Sequence, residues 1–142
     1  MKRLPTDREI LEAIYKRYYP TFAAFSKEGE GKRVTKVYVP IDVQGVADKF
    51  KLDGDIVFGR LYYYLEDKYG YKREDGSRVH FFSPFELRDR HCVNFPMMSS
   101  VLASLQEEHQ RHQWTRGLSI ASIIIAVIAL GFSAGRALGA VW

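Results

Sequence analysis

Gly117-Leu-Ser-Ile-Ala-Ser-Ile-Ile-Ile-Ala-Val-Ile-Ala-Leu-Gly-Phe-Ser-Ala-Gly135 decides the architecture of this chain, because no charged side chain interrupts it. As a helix rising about 1.5 Å per residue, it is about long enough to cross the ~30 Å hydrocarbon core of a bilayer. A buried core helix would be shorter and would carry a polar stripe. The reading predicts one transmembrane helix over residues 117–136, followed by a short tail, 137–142. Trp114 and Trp142 stand about 28 residues apart, roughly 42 Å of helix, which matches a bilayer together with its interfaces. Arg136 falls near the far boundary, where its stem can snorkel.

Arg111 and Arg116 flank the near side of this segment, and Arg136 lies beyond it. That asymmetry predicts a cytosolic N-terminal region, at the inner membrane in a bacterium, with late or post-translational insertion of the span. Gly131, Gly135 and Gly139 form two overlapping Gly-x-x-x-Gly steps, and Ala129, Ser133 and Ala137 form a neighbouring small-residue ridge. Such ridges let helix backbones approach closely, so the expected partners are membrane lipid and another helix, including that of a second copy.

Working outward from the span, the preceding residues are charged and aromatic. The overall 46% hydrophobic and 27% charged composition therefore averages two unlike regions. There is room for one domain of ordinary size. The net charge of +4 is concentrated at the N-terminal end, where residues 1–36 hold nine Lys and Arg against five acids. A basic surface beside a membrane attracts anionic headgroups or nucleic acid, and it is also an ordinary solvated face. Cys92 is the single cysteine, which rules out an intramolecular disulfide and suits a reducing compartment. The opening Met1-Lys-Arg-Leu-Pro-Thr-Asp7 has no apolar run of the signal-peptide kind.

Thr6 and Glu9 make a capping box before Ile10, Leu11, Ile14, Tyr15 and Tyr18 at helical spacing. Pro20 ends or kinks this helix, with Phe22 and Phe25 continuing the apolar face. A polar, glycine-containing loop occupies Ser26 to Arg33. Lys36 to Ile41 alternates like a short strand, and Pro40 marks an edge. Asp42 is a fitting N-cap for a short helix with Val43, Val46, Ala47 and Phe50 on one face. After a tight turn at Leu52 to Asp55, a second helix runs from about Ile56 to Tyr69, with Gly70 as C-cap. Asp75-Gly76 between Tyr71 and Phe82 predicts a hairpin.

This order of helix, strand, helix, tight turn, helix and hairpin resembles the winged-helix variant of the helix-turn-helix, over residues of about 6–83. The match is most specific in Val43 to Arg60, with Ala47 at the small position of the first motif helix. Two residues depart from the pattern. Lys51 stands where a glycine is usual, and Arg60 where an apolar residue is common. The expected class is therefore α+β: a soluble winged-helix-like domain over 1–83, a connector and juxtamembrane helix over 84–116, and the span.

A DNA-reading winged helix places its second motif helix in the major groove and needs basic side chains facing phosphates. Here Asp53, Asp55, Glu66 and Asp67 oppose Arg60 and Lys68 on that helix, the wrong sign for a polyanion. With Val57, Leu61, Tyr64 and Lys68 as the inward seam, the outward face carries Phe58, Tyr62 and Glu66, a mixture suited to a protein partner. Lys72, Arg73 and Arg78 on the hairpin, with Lys32 and Arg33, are the candidate phosphate or lipid contacts. Two functions follow: a membrane-anchored interaction module or accessory subunit, and, as the alternative, a membrane-tethered DNA-binding regulator.

In the connector, Phe85 to Asp89 reads as a short helical turn, and Asn94-Phe-Pro96 as the cap of a helix with Met97, Met98, Val101, Leu102 and Leu105 on its apolar face. His109-x-x-His112 lacks further ligands, and adjacent His91 and Cys92 diverge on any regular element. Gly29 and Gly31 precede no phosphate-binding helix. No catalytic, metal or cofactor site is expected, and an enzyme is the least supported class.

Overall fold

The computed structural model describes residues 3–25, 33, 35–86 and 89–139. The chain divides into two units, Met1–Ser104 and Leu105–Trp142. The first is a mixed α+β unit. It opens with α1 (Asp7–Ala23), whose capping box is formed as expected: the Glu9 amide donates to the Thr6 hydroxyl and the Glu9 carboxylate accepts from the Thr6 amide. That Thr6 amide, opposed by partial burial and helped by Arg3, holds the Glu9 carboxyl at about 2. The helix runs through Pro20 to Ala23. Ile10, Leu11 and Ile14 enter the core, and the Tyr15 and Phe22 rings stack on Phe95. The predicted loop at 26–32 lies outside the described residues.

β1 (Tyr38–Pro40) buries Val39, whereas Val37 is exposed. Asp42 caps α2 (Val43–Asp48) by accepting from the Gly45 amide at 2.9 Å. Between α2 and α3 (Gly54–Gly59), Lys51 takes a left-handed backbone with φ of 56°. The turn thus has the conformation that favours glycine, although a lysine occupies it.

α3 continues without a break as a π-helical segment, Arg60–Leu65, and then as α4, Glu66–Tyr69. The i→i+5 bonding of a π segment advances each residue less around the axis than an α-helix does. Val57, Leu61 and Leu65, four apart, therefore stay on one buried line, and Glu66 is buried beside them. The inward seam expected from α-periodicity holds at Val57 and Leu61 and is lost beyond them. Tyr64 and Lys68 are exposed, while Leu65 and Glu66 take the inward places. Gly70 follows with φ −65° and ψ 146°, which is extended backbone rather than the left-handed cap expected.

β2 (Tyr71–Lys72) and β3 (Arg78–Val79) form the predicted hairpin, turning through Gly76 at φ 84°. A second hairpin follows where the spacing predicts a helical turn: β4 (Phe82–Glu86) pairs with β5 (Asp89–Asn94). β5 pairs also with β1, giving a three-stranded sheet in the order β1-β5-β4, with Pro40 on an edge strand. β1 therefore pairs with β5 and not with the β2–β3 hairpin.

α5 (Phe95–Gly139) starts as expected, Asn94 Oδ1 accepting from the Met97 amide at 3.2 Å. Its first turns bury Phe95, Met98 and Leu102 in the first unit. That unit runs to Ser104, and β4, β5 and the start of α5 contribute to its core. In the second unit the same helix carries the uncharged run, and it is long and apolar enough to cross a membrane.

Lys51→Gly is expected to stabilise the protein by about 1 kcal/mol, because it removes the left-handed Cβ penalty at an exposed site. Thermal unfolding of the full chain in detergent, followed by circular dichroism, would show a raised midpoint. A lowered midpoint would contradict the strained-turn reading.

Candidate interaction surface

The surface of interest is the outer side of the continuous helix from Gly54 to Tyr69. Its N-terminal end is fixed by side-chain bonds: Asp53 Oδ1 accepts from the Asp55 amide, and Gln44 Oε1 from the Gly54 amide, each at 2.9 Å. A Cβ on Gly54 would fall 2.5 Å from that Gln44 oxygen, so a larger residue there would displace the Gln44 side chain from this bond. Phe58 and Tyr62 stack one turn apart with centroids 5.5 Å apart, and Tyr63 meets Tyr62 edge-on at 5.0 Å. Tyr62 is exposed and Tyr63 is 73% exposed. Phe58 is half-buried, touching Phe82 and His91 at 5.7 and 5.4 Å.

Beside Phe58 lies a cleft of about 400 Å³ lined by Asp42, Gln44, Asp55, Phe58 and His91 among others. His91 has a left-handed backbone, φ 53°, inside β5. Neither the cleft nor this conformation is legible in the sequence. His91 lies opposite Pro84, between the pairs Ser83↔Cys92 and Phe85↔Arg90. A proline lacks the amide that would continue the ladder there. Cys92 beside it is buried in the sheet.

Glu66, expected on the outward face with Phe58 and Tyr62, is instead 7% exposed. Its carboxylate accepts from the Phe81 amide at 2.6 Å, the Phe82 amide at 3.0 Å and Arg78 Nε at 3.1 Å. His80 Nδ1 lies 2.7 Å away and donates when it carries the proton. Burial pushes this carboxyl up, but the combined donors outweigh it and hold it below the usual range. Gly70 is explained by the same group, since a Cβ there would lie 2.6 Å from the Glu66 carbonyl oxygen and 2.7 Å from its carboxylate.

The basic candidates divide accordingly. Arg78 is engaged by Glu66, whereas Lys72 and Arg73 are exposed on the hairpin beside Glu74 and Asp75. The hairpin therefore presents almost no net charge. Arg33 donates to the Thr21 carbonyl and lies over the Phe25 ring at 4.9 Å. Lys32 lies outside the described residues. Arg60 is held by Asp7 at the start of α1, and its guanidinium covers Tyr64 at 4.3 Å. An exposed place on the helix thus explains a base where the resemblance expected an apolar residue.

In the second unit, a Cβ added at Gly131 or Gly135 would meet nothing within 4 Å, and Gly139 lies at the end of the described helix. Ser119, Ser122 and Ser133 return their hydroxyls to backbone carbonyls within the helix. Trp142 lies outside the described residues. Among the described residues no three His, Cys, Asp or Glu side chains gather in a metal-holding group. No protein-family model, curated protein or solved structure matches this chain.

Glu66→Gln should cost about 2 kcal/mol, because a neutral amide cannot satisfy the same four donors. Arg78→Ala should cost about 1 kcal/mol, and Lys72→Ala and Arg73→Ala less than about 0.5 kcal/mol each. The lowered Glu66 carboxyl adds stability above its unfolded value of about 4.3, and that contribution is lost as pH falls through its folded value. Acid unfolding below about pH 4 should consequently be shallower in Glu66→Gln, as read by chemical denaturation across pH.

Proposed function

We propose that this chain is a membrane-anchored protein-interaction module, an adaptor or accessory subunit. In this reading the C-terminal helix crosses the membrane, and the N-terminal unit is a cytosolic winged-helix-like domain. The order of α1, β1, α2, α3 and the β2–β3 hairpin supports that likeness, as does the left-handed Lys51 in the turn. The pairing of β1 with β5 is a departure from it. The Arg111, Arg116 and Arg136 distribution supports the orientation.

The observation that carries the interaction reading is the ridge of Phe58, Tyr62 and Tyr63 on the helix that would read DNA. Exposed tyrosines supply large, amphipathic contact area with few rotors to freeze. The acids Asp53 and Asp55 at the same helix end repel a phosphate backbone. The alternative, a membrane-tethered DNA-binding regulator, is favoured by the exposed Lys72 and Arg73 at the hairpin.

Tyr62→Ser and Tyr63→Ser make the cleaner test, since Phe58 also packs on Phe82. A photo-crosslinker at residue 62 of the full chain should capture a discrete partner in native membranes, and one at Lys49 should not. The double serine variant should lower co-purification of that partner about tenfold with its thermal midpoint unchanged. Equal capture from both positions would sink this face as the interface. Duplex binding that weakens steeply with salt, and that falls in Lys72→Ala and Arg73→Ala, would favour the regulator instead.

A further inference from the structure

The helix that carries the aromatic ridge holds one residue more than its core contacts need. The Glu66 amide donates to the Leu61 carbonyl, five residues back, where an α-helix bonds residues four apart. On either side the helix keeps α-spacing: the Arg60 amide reaches the Ile56 carbonyl, and the Gly70 amide reaches that of Glu66. Four residues, Tyr62 to Leu65, thus fill a place that takes three.

The buried line gives the same count. Val57, Leu61, Leu65 and Glu66 face the core at i, i+4, i+8 and i+9. With one residue fewer after Leu61, the spacing becomes i, i+4, i+7 and i+8, the stripe that an α-helix presents to a core. The bond between Glu66 and Leu61 would then join residues four apart. Leu65 is fully buried, so the surplus lies in the run Tyr62-Tyr63-Tyr64.

The three rings are not used alike. Tyr62 stacks on Phe58, and Tyr64 lies under Arg60 at 4.3 Å and near Lys68 at 5.6 Å. Tyr63 is the most exposed of the three, and among the described residues its ring meets only that of Tyr62, at 5.0 Å. Neighbouring side chains on an α-helix do not face each other. The smaller turn per residue of the π segment lets Tyr63 extend the ridge begun by Phe58 and Tyr62. Single π bulges inside α-helices are rare and are frequent at functional sites, where an outlier persists for what it presents.

We infer that the π segment serves to display a surplus tyrosine, Tyr63, which determines the specificity of the ridge for a protein partner. This rests on the interaction reading above, and it assigns the decisive contact to a residue that the fold does not need. The partner that covers so exposed a ring offers a ring-sized apolar recess with a hydrogen-bond partner for the hydroxyl.

Shortening the run by one tyrosine tests both halves, and deletion at 62, 63 or 64 gives the same chain. The full chain lacking Tyr63, in detergent, should unfold at the same or a higher temperature by circular dichroism. It should also keep the acid dependence that Glu66 confers. With the photo-crosslinker at residue 62, capture of the partner from native membranes should fall about tenfold in the shortened chain. Tyr63→Ala, which keeps the chain length, should show the same loss at an unchanged midpoint, and Tyr64→Ala should retain capture. A lowered midpoint in the shortened chain would show that the fold needs the residue and would overturn the inference. So would full capture by the shortened chain or by Tyr63→Ala, or an equal loss in Tyr64→Ala. No capture at residue 62 of the otherwise unaltered chain would instead defeat the interaction reading itself, and the role of Tyr63 with it.

Discussion

The buried carboxylate of Glu66 is the constraint on which the N-terminal unit turns. Desolvating a carboxylate costs several kcal/mol, and only a full set of donors offsets it. Two of those donors are consecutive amides, of Phe81 and Phe82, at the entry to β4. A third comes from Arg78 in β3, so one side chain on α4 ties together the helix, the hairpin and the sheet. The Phe81 carbonyl in turn accepts from the Asn94 amide, carrying the tie on to the central strand. Reaching this position requires Glu66 to face inward directly after Leu65. An uninterrupted α-helix would have turned it away from the Val57–Leu61 line, and the π segment brings it in.

This explains how much of the fold is legible in the sequence. The capping box at Thr6 and Glu9, the Asp42 cap, the helix from α3 to α4, the Asp75-Gly76 hairpin and the Asn94 cap are local signals, and each is formed. The residues that depart from expectation all do so for a non-local reason. A 3.6-residue periodicity points Glu66 outward only if it is extended through a segment that does not keep it. Gly70 has the position of a left-handed cap, whereas its missing Cβ makes room for Glu66. β4 and β5 carry no local strand signal where they meet, because Glu86 to Arg90 holds four charged residues of five and no β-branched one, and β5 is held by pairing with β4 on one side and β1 on the other. Of the candidate surface, Phe58 and Tyr62 are legible, while the cleft and Tyr63 depend on packing that spacing does not encode.

The same bonds redistribute charge. Read as a string, the hairpin offers three bases and the preceding helix an excess of acid. In the folded unit Arg78 and Glu66 cancel each other, and Arg60 is taken by Asp7. What remains exposed is finely divided: acids at the start of α3, a nearly neutral hairpin, and Lys68 beside Tyr64. A nucleic-acid reader concentrates one sign along a groove-sized face. Alternating charge around aromatic and aliphatic contacts is the pattern of surfaces that discriminate among protein partners.

Among the described residues, two non-glycine residues hold left-handed backbone, and both border the same region. Lys51 sets the turn that brings α3 onto α2, and His91 brings its ring to Phe58 across the cleft. Each conformation costs of order 1 kcal/mol or more. Lys51 holds this conformation where glycine would relieve it, and His91 holds it where Pro84 opens the ladder opposite while the Ile41 amide still donates to the His91 carbonyl. The N-terminal end of α3 is thus held in place against local preference from both sides. Such strain is sustained only by the surrounding packing. It leaves the Phe58–Tyr62–Tyr63 ridge on a helix whose position is already fixed, so in the proposed role less ordering entropy would oppose binding.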